Sequence, residues 1–397
     1  MTRSSRGAAL GTLLSAAVLA GGVLAGPALA GRVLAGPAGT AAAAGTGGLN
    51  GTTAVSARDV WAVGFSYTGS TYSAMTENWN GTAWSIVPSP SPSGASDTYL
   101  YGASAVSASN VWSVGYFMTG STASPLAEHW NGKSWKIVTT PAPSGAAGAY
   151  LYAVDAVSAD NVWAVGYDQP SFTTLIEHWN GKKWAIVPSP DPSGASGSWL
   201  YGIDGTSASD VWAVGYWTEG LTTSTLAEHW NGTSWTITSS PSPGGQNQVT
   251  SLEAVHAIAA SNAWGVGFLY DGPVTETVTE HWNGTAWSAK PSADPGGSAT
   301  SLVAVGAGTY KDVWAVGDAT NNTTSVTTTV AEQWNGTAWT IMPTPNPAGS
   351  TDASLTGVSV ISAANAWAVG YSWNGTATST VIEHWTGKTW KLTHAPS

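Results

Sequence analysis

Short apolar runs alternate with clusters of Gly, Ser, Asn and Pro, and residues 99–148 show the pattern in full. Tyr99 to Val106 (YLYGASAV) reads as a strand, and Ser107-Ala108-Ser109-Asn110 reads as a turn by composition. Val111 to Tyr116 (VWSVGY) is a second strand, followed by a polar loop from Phe117 to Ser124. Leu126 to Trp130 (LAEHW) is a third strand. Within it Glu128 and Trp130 share one face and His129 takes the other, because side chains alternate along a strand. Asn131-Gly132 is a strong hairpin signal, and it predicts a type I′ turn with both residues at positive φ. Trp135 to Val138 begins a fourth strand. The Pro/Ser/Gly stretch Thr139 to Gly148 then leaves the sheet, since Pro cannot donate to a ladder.

This pattern is written seven times, at spacings of 49 to 53 residues. Each copy has a V-W-A-V-G-like run, then E-H-W-N-G or a variant, then a Trp three residues after the Gly. The first Trp falls at 61, 112, 163, 212, 264, 314 and 367, the second at 79, 130, 179, 230, 282, 334 and 385, and the third at 84, 135, 184, 235, 287, 339 and 390. These positions use all but three of the 24 tryptophans, so the indoles are expected to form the layers between repeats. Such a period marks a solenoid, propeller or array. Four antiparallel strands per copy describe a blade, which predicts an all-β, seven-bladed β-propeller. The repeats run approximately 48–98, 99–148, 149–197, 198–248, 249–299, 300–351 and 352–397. The first copy starts at Leu49, which aligns with Leu100, and the last ends just after its fourth strand. Blade one is therefore expected to pack on blade seven with no exchanged strand, giving a monomeric ring. A linear solenoid would need polar capping repeats, and neither terminal copy looks atypical.

Ahead of the repeats, Arg3 and Arg6 precede an apolar stretch from about Ala8 to Ala25, and Ala28-Leu29-Ala30 is a small-residue cleavage site. Residues 1–30 read as a secretory signal peptide, with an uncleaved anchor as the other reading. Residues 31–47 read as an Ala/Gly/Thr-rich linker, and the expected location is extracellular. The net charge of −11, with only 12 Lys and Arg, argues against nucleic acid and against an anionic membrane surface. The absence of Cys excludes disulfides, thiolate metal sites and cysteine nucleophiles.

The D-V-W-A-V-G … H-W-N-G-x-x-W pattern resembles a family of bacterial secreted repeat propellers, in the style of kelch-type and Asp-box propellers. Asn80 to Trp84 (NGTAW) looks like a degenerate Asp-box. The resemblance covers about residues 49–397 and implies fold more than function, since propellers host many activities. Kelch propellers include galactose oxidase, whose Tyr–Cys crosslink this chain cannot make. Asp-box propellers include sialidases with an arginine triad, whereas Arg58 is the sole Arg of the repeats. No D-x-D-x-D-G calcium loop, G-x-S-x-G elbow or H-E-x-x-H occurs, and no cofactor is implied.

Glu77, Glu128, Glu177, Glu228, Glu280, Glu332 and Glu383 occur in every copy, followed by His in five and by Asn78 and Gln333 in the others. Glu beside His suggests acid–base or metal chemistry. However, sevenfold residues build blades, and adjacent strand residues face opposite ways, so a structural role is expected. The N-G-T sequons at Asn80, Asn231, Asn283 and Asn335 likewise read first as turns.

The informative residues break the repeat. Just before the repeated Leu of strand one, blades two to four carry Tyr99, Tyr150 and Trp199. Just after it they carry Tyr101, Tyr152 and Tyr201. Blades five to seven carry Ser251, Ser301 and Ser354, then Glu253, Val303 and Thr356. With strand one innermost, this places an aromatic arc on one side of the channel mouth. The long loops of the same rim add Trp217 and Trp373. Aromatic faces beside neutral polar groups suit sugar rings, and packing beneath the loops is the alternative. Four residues past the Leu, Asp155, Asp204 and His256 form a weak candidate cation site. The sequence thus predicts an exported, non-catalytic propeller binding a carbohydrate or cell-envelope polymer. An extracellular protein-interaction scaffold is the second reading. A polysaccharide hydrolase or lyase using rim carboxylates such as Asp97, Asp168, Glu219, Asp271, Glu276 and Asp318 is the third.

Overall fold

The computed structural model describes residues 46–245, 248–272, 274–296 and 298–396. The expected signal peptide and most of the expected linker lie outside the described residues. Thr46 and Gly47, read as the end of the linker, already belong to the first strand, where Thr46 Oγ1 donates to the Tyr67 carbonyl at 3.0 Å. All regular structure among the described residues is β-strand, 28 in total, four to each of seven repeats. In blade two they are Asp97–Ser107, Asn110–Thr119, Thr122–Trp130 and Trp135–Val138, paired antiparallel in chain order. The sheets are open and separate, except that one parallel bridge, Thr223 to Val249, joins blades four and five.

The first strands are Thr46–Ser56, Asp97–Ser107, Gly148–Ser158, Gly197–Ser207, Val249–Ala259, Ser298–Thr309 and Asp352–Ser362. Each lies beside the first strand of the next blade, and the seventh lies beside the first, which makes them the innermost layer. The pairing of strand one with strand two slips by one residue just after the repeated Leu in every blade. The Gly that ends each V-W-A-V-G run pairs with that Leu, and its neighbour's backbone leaves no space for a side chain. A Cβ on Gly166 would sit 1.8 Å from the Tyr150 carbonyl oxygen, and one on Gly115 would sit 1.9 Å from that of Tyr99. The invariant Gly and the bulge are thus one feature, a close backbone approach that leaves one extra residue per blade.

Blades adhere through indole triads. Trp61 of blade one meets Trp130 at 4.8 Å and Trp135, edge-on, at 5.2 Å in blade two. The same triad recurs at each interface, and Trp367 of blade seven meets Trp79 and Trp84 of blade one at 5.0 and 5.3 Å. Thr356 Oγ1 adds a 2.6 Å bond to the Leu49 carbonyl. Between blade seven and blade one the contacts are side-chain packing, and among the described residues no strand passes from one sheet to the other.

The N-G hairpin differs from expectation. Trp130 pairs with Trp135, so the loop holds four residues, not two. Gly132 takes φ +86°, but Asn131 is not among the positive-φ residues. Its Oδ1 instead accepts the amides of Lys133 and Ser134 at 3.0 and 3.1 Å. This side-chain cap replaces the type I′ turn and occupies the amide-bearing group of each sequon.

Candidate functional site

The Glu-His pairs build the blades. All seven Glu side chains are no more than 1% exposed. Several accept hydroxyls from the connector of the preceding blade: Ser89 bonds both oxygens of Glu128 at 2.9 and 2.8 Å, and Ser292 bonds Glu332 at 2.7 Å. Burial with no basic partner pushes Glu77 up to about 7, and Glu128, Glu177, Glu280 and Glu383 up to about 8. The next residue points the other way. His129 shares a 3.0 Å hydrogen bond with Asn110 and lies 4.5 Å from Trp112. In the copies without His, Asn78 and Gln333 donate to Asp59 and Asp312, both at 2.8 Å. Neither member of a pair faces a shared reaction site.

The aromatic arc exists, but much of it is packing. Tyr99, Trp199 and Tyr201 are only 7%, 4% and 7% exposed, which corrects their expected place on an open rim. Tyr99 lies 5.2 Å from both Tyr72 and Tyr116. Tyr150 stacks on Tyr167 at 5.0 Å, and Trp199 stacks on Tyr216 at 4.8 Å. Burial raises the phenols of this cluster. Tyr116, Tyr167 and Tyr216 went unread in the sequence. They occupy one column, directly after the V-W-x-V-G glycine, where blades one, five, six and seven carry Phe65, Phe268, Asp318 and Tyr371. Tyr150 keeps some accessible surface, as do Trp217 and Trp373. Trp217 leans on the cluster of Trp163, Leu200 and Trp235 between blades three and four.

The bulge turns the residue after each Leu toward its equivalents around the ring. Tyr101 meets Tyr152 at 4.9 Å, and Tyr152 meets Tyr201 at 5.2 Å, both edge-to-face. Glu253 continues the series. Its burial pushes it up to about 7, while the Ser251 hydroxyl donates to it at 2.5 Å. Tyr101, Tyr152 and Glu253 are deep in the protein yet partly accessible, as expected of side chains lining a central channel.

Farther along the same strands lie Asp155, Asp204 and His256. Asp204 Oδ2 meets His256 Nδ1 at 3.0 Å and accepts the Ala257 amide at 2.7 Å. Burial opposes a charge on His256, but the charge and hydrogen bond of Asp204 prevail and raise its pKa. Burial, then the neighbouring charge of Asp204, lifts Asp155 well above the usual carboxylate range. Among the described residues no three His, Asp or Glu are arranged to hold a metal ion. Asp204 is committed sideways, to the next blade, which explains why the three do not converge. The rim carboxylates are also dispersed in role. Asp168 accepts from Thr173 within its own loop, Asp318 accepts from Ser354, Asp97 accepts the Tyr72 amide, and Glu219, Asp271 and Glu276 are exposed.

No protein-family model matches the chain, and no curated protein matches it. Solved structures do. YCF48 bound to D1 peptide is 12% identical over 86% of this chain and 92% of its own, with a TM-score of 0.53. A PL25 ulvan lyase bound to -[GlcA(1-4)Rha3S]- is 9% identical over 89% and 99%, with a TM-score of 0.57. YCF48 from Cyanidioschyzon merolae is 11% identical over 87% and 97%, with a TM-score of 0.50. At such identities the likeness is one of fold. The chain is a β-propeller built from repeated four-strand blades.

Proposed function

We propose that this chain is an exported, non-catalytic binding propeller, its ring closed by blade one on blade seven, that recognises a carbohydrate or cell-envelope polymer. The polymer lies on the long-loop rim over blades two to four. The observation that carries this reading is the one-sided chemistry of the mouth, with stacked Tyr and Trp on blades two to four and Ser on blades five to seven. The buried Tyr99, Trp199 and Tyr201 form the support, and Tyr150, Trp217 and Trp373 supply the accessible faces. Sugar rings offer C–H faces to such side chains. The seven inner strands carry no Lys or Arg, which favours a neutral polymer over an acidic one. A propeller neighbour that holds an oligosaccharide supports the reading. The engagement of Asp168 and Asp318 in local bonds favours binding over hydrolysis or lysis. The test is a polysaccharide and glycan array, with Tyr150→Ser/Trp217→Ala run beside the wild type. Binding by the wild type alone, at equal folded content, supports the proposal. An array with no hits refutes it and turns attention to a protein partner, since another neighbour binds a peptide.

A further inference from the structure

The side chains of the seven inner strands divide the channel into unlike halves. On blades two to five, one layer holds Tyr101, Tyr152, Tyr201 and Glu253, and the next holds Ser104, Asp155, Asp204 and His256. The other three blades put Val303, Thr356 and Asn50 in the first layer and Gly306, Ser359 and Thr53 in the next. Asn50 and Thr356 are drawn to the wall, since their side chains donate to the Leu100 and Leu49 carbonyls at 2.7 and 2.6 Å. Small or tethered groups therefore face the tyrosines across the lumen.

We propose that this lumen binds a small organic cation, its ammonium group held between the partly accessible rings of Tyr101 and Tyr152 and the carboxylates of Asp155 and Glu253. Three observations converge on a positive ligand. Tyrosine rings present a negative face, and Tyr101 and Tyr152 adjoin one another on neighbouring blades while keeping accessible surface. No Lys or Arg occurs on any inner strand, so His256 is the sole cationic side chain there, and Asp204 is bound to it. Asp155 and Glu253 are left without a basic partner: the donors to Asp155 are neutral, the Ser104 hydroxyl at 3.4 Å and the Gly205 and Ala156 amides, and its Oδ2 is buried. A buried carboxylate in that position takes up a proton or a cation, and both carboxyls are accordingly raised. An ammonium group supplies the charge, and its alkyl part suits the tyrosine faces. A neutral sugar gains nothing from the carboxylate charge, and an anion would be repelled. The site is distinct from the polymer rim, so either proposal can fail while the other stands.

The experiment is isothermal titration of the full chain with choline, with methylammonium, and with 3,3-dimethylbutan-1-ol, which has the shape of choline without its charge. At least one cation is expected to bind saturably, with the neutral alcohol roughly tenfold weaker or silent. Asp155→Asn and Glu253→Gln keep side-chain shape, and each is expected to weaken the cation roughly tenfold. Tyr152→Leu is expected to weaken it as well, with circular dichroism confirming the fold. Equal binding of the alcohol, indifference to both isosteric variants, or no binding of either cation would overturn the proposal. So would a calcium titration that saturates while both organic cations remain silent.

Discussion

Seven carboxyls sealed between blades without a single basic partner are the least expected residue-level feature. Their consequence is a stability that depends on pH in an unusual direction. Burial raises all seven, and Glu128, Glu177, Glu280 and Glu383 hold their protons up to about 8 in the folded state, whereas an unfolded Glu releases them near 4.5, so the folded chain binds more protons in that window. Stability must then fall as pH rises through it. The half-buried His129, His178, His281 and His384 are lowered from 6.5 by burial, and they act in the opposite sense below that value. The unopposed window therefore runs from about 6.5 to about 8. Thermal melts are expected to show a falling Tm across it, and Glu128→Gln is expected to flatten the slope. A Tm that rises between those pH values would contradict the burial of neutral carboxyls.

The strand with its bulge is the element that decides what faces the channel. The period-2 pattern placed Tyr99 and Tyr101 on one face, and likewise Tyr150 with Tyr152 and Trp199 with Tyr201. One extra residue after each Leu breaks that alternation, so Tyr99 packs inside the blades while Tyr101 meets Tyr152 in the channel. The blades and indole layers were legible because they repeat seven times. The strand limits were less so: the stretch from Phe117 to Ser124, read as a polar loop, is a hairpin in which Phe117 pairs with Ser124 and only Gly120 and Ser121 lie outside the strands, and Trp217 and Trp373, read as loop residues, lie within the second strands of their blades. The bulge was not, because its marker is a Gly two strands' pairing away, and a glycine in a strand has several explanations. The account predicts opposite outcomes for two glycines in this motif. Gly166→Ala forces a Cβ to within 1.8 Å of backbone and is expected to cost about 3 kcal/mol or more, or to prevent folding. Gly265→Ala restores the Ala found at positions 62, 164, 213, 315 and 368. Its Cβ meets Leu252 at 3.4 Å, so a gain of about 0.4–1 kcal/mol is expected. Urea denaturation of both variants decides the matter, and similar costs for the two would refute the close-approach argument.

At the scale of the whole molecule, seven equivalent interfaces share the stability, including the one between the last blade and the first. Trp367 stands in its triad as Trp212 does in its own, with partner distances of 5.0 and 5.3 Å against 4.8 and 5.0 Å. Trp367→Ala is therefore expected to cost as much as Trp212→Ala, roughly 3–5 kcal/mol by denaturant titration. A much milder effect at Trp367 would mean that the junction is loose in solution. A symmetric frame also makes asymmetry informative, and the aromatic half of the mouth is the chief departure from sevenfold repetition. The most direct measurement of its role is hydrogen exchange with and without the polymer selected on the array. The account predicts slowed exchange around Tyr150 and Trp217 on the long-loop rim, with blades five and six unchanged. Protection confined to the N-G hairpin rim, or spread evenly over all seven blades, would contradict it.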